Sequence, residues 1–133
     1  MIFRILSLLL FLICFFGSTA QESRLDSLMA KVKTSPEEEK INLYFDIADE
    51  YYYNSYHKYI EYSRKAKELA LKYELPKKIL SANNSIAIGY NQMGVYDSAL
   101  IYYQKVLDYV LADMDSIKIA ITIRNIGIVH HSQ

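Results

Sequence analysis

The 133-residue chain has one cysteine, two prolines, four glycines and no tryptophan. The cysteine, Cys14, lies in an apolar run near the start, so the rest of the chain can form no disulfide and offers no thiol nucleophile. Scarce proline and glycine argue against a turn-rich all-β fold and favour helices. So few glycines leave no Gly-rich phosphate loop, and no cofactor is expected. An excess of one charge is also missing: Lys plus Arg and Asp plus Glu each number 15. A general nucleic-acid binder carries a basic excess or patch, so nucleic acid is not an expected partner.

The first segment, "MIFRILSLLLFLICFFGSTA", has Arg4, then apolar residues from Ile5 to Phe16, then Gly17 to Ala20. A charged head, an apolar centre and small residues before a cleavage point form the pattern of a secretory signal peptide. The run is short for a bilayer, which takes ~20 apolar residues. Cleavage is expected after Ala20, giving an exported chain, periplasmic or extracellular, with no membrane span. The alternative is an uncleaved anchor. A lipoprotein site would want a small residue before Cys14, where Ile13 stands.

The remainder reads as helices. Leu25, Leu28, Met29 and Val32 recur at helical spacing over 23–33, a lead-in helix. In "TSPEEEK", Ser35 is placed to cap the next helix, with Pro36 at its first position and Glu38 completing a capping box. That helix is expected to reach about Tyr53, with Ile41, Tyr44, Ile47, Ala48 and Tyr51 on one face. A second covers about 58–73, carrying Tyr59, Tyr62, Ala66, Leu69 and Ala70, and stops before Pro76. A third runs from about Lys77 to Gln92 with Ile79, Leu80, Asn83, Ile86, Ala87 and Tyr90, and Gly94 ends it in a left-handed turn. A fourth runs from Tyr96 or Asp97 to about Leu111. The segment "DSIKIAITIRNIGIV" is ambiguous. Its alternating isoleucines from Ile117 to Ile123 suggest a strand by propensity, while Asp115 could cap a helix.

Self-comparison decides in favour of the helix. Ile47-Ala48, Ile86-Ala87 and Ile126-Gly127 each pair isoleucine with a small residue, and a ring follows three positions later: Tyr51, Tyr90, His130. In the second helices Tyr56 matches Tyr96, Tyr59 matches Ala99 and Ala66 matches Val106, each 40 residues apart, where the isoleucines are 39 and 40 apart. Such a period marks helix hairpins that bury their apolar faces only by stacking. The small Ala99 is then a helix–helix contact within its hairpin, and His130 is expected to pack as Tyr90 does.

The set Ile86, Ala87, Tyr90, Gly94, Tyr96, Ala99, Tyr103 and Val106 resembles a tetratricopeptide repeat. The first copy departs from that pattern: Ser55 stands near the usual turn glycine, Tyr59 replaces a small residue, and the turn is one residue shorter. The units are also longer than the usual ~34 residues. The resemblance implies an all-α, right-handed α-α superhelix with repeat one at about 37–74, repeat two at about 77–111 and the first helix of a third at about 115–132. With its export signal, the chain further resembles the extracytoplasmic sensor region of bacterial signalling proteins. That likeness implies a truncated sensor domain in signal transduction.

In that family the first helix of each hairpin lines a groove for protein or peptide ligands. The resemblance places peptide-binding candidates at Phe45, Asp49, Tyr52 and Tyr53, at Ser85, Ile88, Asn91 and Gln92, and at Arg124, Asn125 and Ile128. The family's lysine-rich carboxylate clamp is unmatched, Arg124 being the one base in the set.

Catalysis finds little support. Asp46, Asp49 and Glu50 share a helix face, more often a solvated surface than an acid–base pair. His130 and His131 are adjacent and point apart, so no metal site is expected. Asn83 to Ser85 matches a glycosylation acceptor but falls within a helix. At the C-terminal end, Ile119, Ile121, Ile126, Ile128 and Val129 exceed what one preceding hairpin can cover. This predicts self-association, or docking on another chain, through that helix. The alternative functional reading is accordingly a structural scaffold assembling through this face, and a small hydrolase remains a rival.

Overall fold

The structure, a computed structural model, describes residues 24–133. The signal-like segment 1–20 lies outside the described residues. Those residues form six helices and no strand: α1 over 24–34, α2 Glu37–Tyr51, α3 Tyr56–Lys72, α4 Pro76–Gln92, α5 Tyr96–Ala112 and α6 Ser116–Ser132. Each helix from α2 onward packs chiefly on the next, α2 on α3, α3 on α4, α4 on α5 and α5 on α6. The first helix joins them through buried Leu28, through Met29, whose sulfur accepts from the Tyr62 hydroxyl, and through an Arg24–Glu50 pair at 2.9 Å.

From α3 onward the chain keeps a strict beat. Helices begin at 56, 76, 96 and 116, each 17 residues long, and three-residue turns separate them. The turns share one geometry. Their middle residues Glu74, Gly94 and Met114 have φ of 52°, 72° and 55°. The amide after each reaches back five residues: Leu75 to Ala70 at 2.9 Å, Val95 to Tyr90 at 2.9 Å and Asp115 to Val110 at 3.3 Å. This closure satisfies the last helical carbonyls through a left-handed residue. Gly94 meets the requirement without strain; Glu74 and Met114 meet it against their side chains.

The α2–α3 turn differs. Four residues, 52–55, connect the helices, and none has a left-handed φ. The first copy is thus shortened at the end of α2, which stops at Tyr51 rather than Tyr53, and its turn is longer, not shorter as the alignment implied. Ser55 caps α3 instead, its hydroxyl accepting from the Lys58 amide at 3.4 Å.

Two sequence expectations need correction. Ser35 does not cap α2: its amide donates to Lys31 at the end of α1, Pro36 takes the N-cap place, and no side chain caps the helix. Glu37, Glu38 and Glu39 in the first turn still complement the helix dipole. His130 is exposed, and its neighbour Val129, fully buried, faces the core. The ambiguous isoleucine segment is helical, as the repeat required. Asp115 caps it by accepting from the Lys118 amide at 3.0 Å. The helix buries Thr122 and Val129 and half-buries Ile119 and Ile126, so spacing of three and four prevails over the alternation.

The interior is built from small residues against large ones. Ile41, Ala66 and Ala70 form one cluster, with Tyr44, Phe45, Leu69, Tyr73, Leu75 and Ile79 packed around it. Ala87, Ala99, Tyr103 and Val129 form another, in which the small Ala99 is fully buried with residues of α4 and α6. Burial of each large apolar side chain contributes about 1.5–3 kcal/mol. Between the two clusters α3 and α4 meet at Gly89. A Cβ there would lie 2.5 Å from Ile60 Cγ1 and 3.2 Å from Tyr59 Cδ1, so glycine is demanded by close approach.

Candidate functional site

Alternate helices of the row, α2, α4 and α6, bring together side chains that lie nearly forty residues apart. Lys78 at the start of α4 reaches across to α2, donating to Asn42 Oδ1 at 2.6 Å, with its ammonium 6.0 Å from the centre of the Phe45 ring. Farther along, α4 and α6 flank a cleft of about 200 Å³. Leu80, Ser81 and Asn84 form one wall and Lys118, Ile121 and Thr122 the other, over a floor of Val106 and Val110. A second depression of about 430 Å³ opens between the starts of α2 and α4, bordered by Ile41, Asn42, Leu75, Pro76 and Lys78.

The candidates fall into three groups. Phe45 is half-buried against the Ile41 cluster, beneath Lys78. Tyr52 and Tyr53 lie just past the end of α2. Tyr53 is 86 % exposed and rests edge-on against Tyr52 at 4.7 Å between centres. Tyr52 is half-buried, edge-on to Tyr56 at 5.9 Å and to Tyr59 at 5.2 Å. Asp49 is exposed beside them, and its carboxyl is held above the ordinary range by partial burial, then by the Asp46 and Glu50 charges. On α4, Ser85 neighbours the Tyr59 phenol and Ile88 packs on the Ala87 cluster; Asn91 is half-buried and Gln92 exposed. On α6, Arg124 and Ile128 are exposed and Asn125 is half-buried.

A chain of phenols runs beneath this surface. Burial raises Tyr59 above its ordinary value, opposed by Ser85 and reinforced by Asp49 and Tyr52. Burial pushes Tyr103 up to about 12, with Tyr59 and Tyr52 adding to it. Both phenols therefore stay neutral at physiological pH, uncharged hydrogen-bonding groups under the candidate face.

The opposite side is basic and aromatic. Tyr90 and Tyr102 stack at 5.9 Å, Arg64 donates to the Tyr90 hydroxyl, and the Lys67 and Lys105 ammoniums lie 5.1 and 4.9 Å from the Tyr102 centre. Partial burial lowers Lys67, and Lys105 and Arg64 lower it further. Sequence spacing gave no signal for this patch, because its members come from three helices.

Other features hold no convergent chemistry. Glu50 of the acidic trio pairs with Arg24. Asn83, in the glycosylation-like triplet, is 6 % exposed, and its Oδ1 is buried without a partner. Among the described residues no group of three or more His, Cys, Asp or Glu is placed to hold a metal ion, and no helix is long and apolar enough to cross a membrane. No protein-family model, curated protein or solved structure matches the chain.

Proposed function

We propose that the chain is a non-enzymatic protein- or peptide-binding module that works outside the cytoplasm as a sensor-type domain. In this reading its hairpins are tetratricopeptide-like and wind into a right-handed superhelix. The observation that carries it is the face shared by α2, α4 and α6. There Tyr53, Gln92 and Arg124 are exposed and Tyr52, Asn91 and Asn125 are half-buried, while two apolar clefts, lined by none of these six, open nearer the starts of the helices. Rings supply contact area at low entropic cost, and amides hydrogen-bond an extended backbone.

The test is selection of displayed random peptides on the immobilised full chain, followed by Tyr53→Ala and Asn91→Ala. Selected peptides are expected to weaken by about tenfold per substitution, near 1.4 kcal/mol each, with helicity unchanged. Enrichment of no peptide, or binding indifferent to both changes, contradicts the proposal. Export is tested separately: the N-terminus of the secreted chain should read Gln21.

A second reading has its own observation. Helix α6 leaves Ile117, Ile121, Ile123 and Ile128 between 43 % and 75 % exposed. That apolar surface favours a scaffold assembling through α6. Sedimentation at rising concentration should then show association that Ile121→Lys abolishes.

A further inference from the structure

Two grooves stand at matching positions: in the α2/α4 groove the Phe45 ring is seated beside the depression of about 430 Å³ at Ile41, Asn42 and Lys78, and no ring lines the α4/α6 cleft. In the α2/α4 groove Lys78 reaches Asn42 and stands over the Phe45 ring, and Ile41 and Phe45 pack with Ala66 and Ala70. Shifting the Ile47-Ala48 register onto Ile86-Ala87 carries Ile41, Asn42 and Phe45 to Leu80, Ser81 and Asn84, a step of 39 and not 40 because α3 begins 19 residues after α2. The forty-residue beat carries Ala66, Ala70, Lys78 and Ala82 to Val106, Val110, Lys118 and Thr122. The residues reached this way line the α4/α6 cleft.

Of these pairs only Lys78 and Lys118 are identical; the floor alanines become valines, and the exchange that removes a ring is Phe45 for Asn84. In the first groove the Phe45 ring packs against the Ile41, Ala66 and Ala70 cluster, with the Lys78 ammonium above its face. In the second, Asn84 stands where Phe45 would, and about 200 Å³ remains open above Val106 and Val110. An apolar cavity of ~150 Å³ suffices for benzene, so this space accommodates one aromatic ring. The rim suits a peptide as well. Ser81 and Thr122 hydroxyls donate to Lys77 and Lys118 carbonyls at 3.0 and 2.8 Å, which leaves their oxygens free to accept. Lys118, paired with Asp115 at 2.7 Å, lies at the position from which Lys78 covers Phe45.

We propose that the α4/α6 cleft over Val106 and Val110 is an aromatic side-chain pocket, in which a tyrosine or phenylalanine of a partner peptide occupies the place that Phe45 fills in the α2/α4 groove. This rests on the binding-module reading and adds the residue class the partner must carry.

The test titrates methyl-labelled full chain with p-cresol, the tyrosine side chain alone, and follows the Val106, Val110 and Ile121 methyl resonances. Saturable shifts at these three are expected. The Asn84→Phe variant, which supplies the ring in cis, should weaken the interaction by about tenfold or more while remaining helical. Unmoved methyls in the unmodified chain overturn the proposal whatever the variant does, as does a folded Asn84→Phe chain that titrates unchanged. Should p-cresol fail while displayed peptides still bind in a Tyr53- and Asn91-dependent way, the pocket falls and the binding module stands. If p-cresol titrates but no peptide is enriched, the cleft takes a ring, but the module falls and the peptide partner proposed for the cleft falls with it.

Discussion

The α3/α4 and α5/α6 junctions occupy equivalent places in successive hairpins, yet they divide large and small residues in opposite ways. At the first, Tyr59 and Ile60 of α3 press on Gly89 of α4. At the second, the forty-residue equivalents are Ala99 and Leu100 on α5 and Val129 on α6, with Ala99 and Val129 buried in one cluster. A similar inversion runs one turn along, where Tyr59 and Ser63 of α3 correspond to Ala99 and Tyr103 of α5, all four buried. A close-packed interior fixes the volume of a contact more tightly than it fixes which helix supplies that volume. Helices of equal length and matching turns can therefore diverge residue by residue at their contacts.

The largest effect should come from breaking the first junction on its large side. Tyr59→Ala removes a ring that is 5 % exposed and is expected to cost about 3–5 kcal/mol in urea denaturation. Gly89→Val, on the small side, should cost about 1–3 kcal/mol by overpacking against Ile60, despite valine's better helix propensity.

How far these contacts could be read in advance differs from one residue to the next. Gly94, Asp115 and Ala99 announced their roles, because a left-handed turn, a cap and a close contact each demand a narrow choice of residue. Tyr59 was visible only as a departure from the pattern. Its compensation, Gly89, sits thirty positions on, and no local rule joins the two. Ser35 had the composition of a cap but was drawn to the end of α1. Among the candidate site residues, Phe45 counted for the ligand face by alignment alone. Its role as a plug, and the empty place at Asn84, required both grooves to be seen side by side. The basic patch at Arg64, Lys67 and Lys105 had no sequence period to betray it.

The three matching turns sharpen the comparison at a smaller scale. Gly94→Ala forces a side chain into φ of 72° and should cost about 1 kcal/mol, since only strain opposes it: the nearest atom to the new Cβ is Tyr96 Oη at 4.0 Å. Glu74→Gly and Met114→Gly should each stabilise by about 0.5–1 kcal/mol for the converse reason. Thermal midpoints of the three variants order these effects, and equal responses would deny that the turns are equivalent.

The smallest expected effect separates the displaced phenols. Tyr103 ionises near 12 when folded against an ordinary 10, and Tyr59 is also raised. The unfolded chain therefore releases these protons first, so their contribution is intact below about pH 10 and is lost as pH rises from there toward about 12. Tyr103→Phe should flatten this alkaline limb in denaturation midpoints, and Tyr59→Phe should flatten it less.

The most direct measurement is the double variant Tyr59→Ala/Gly89→Val, which rebuilds at α3/α4 the small-against-large arrangement already present at α5/α6. Chemical denaturation should show the pair more stable than the sum of its single changes by about 1 kcal/mol or more. Strict additivity, to within about 0.5 kcal/mol, would mean that Tyr59 and Gly89 do not share one space and that the two junctions are not versions of one contact.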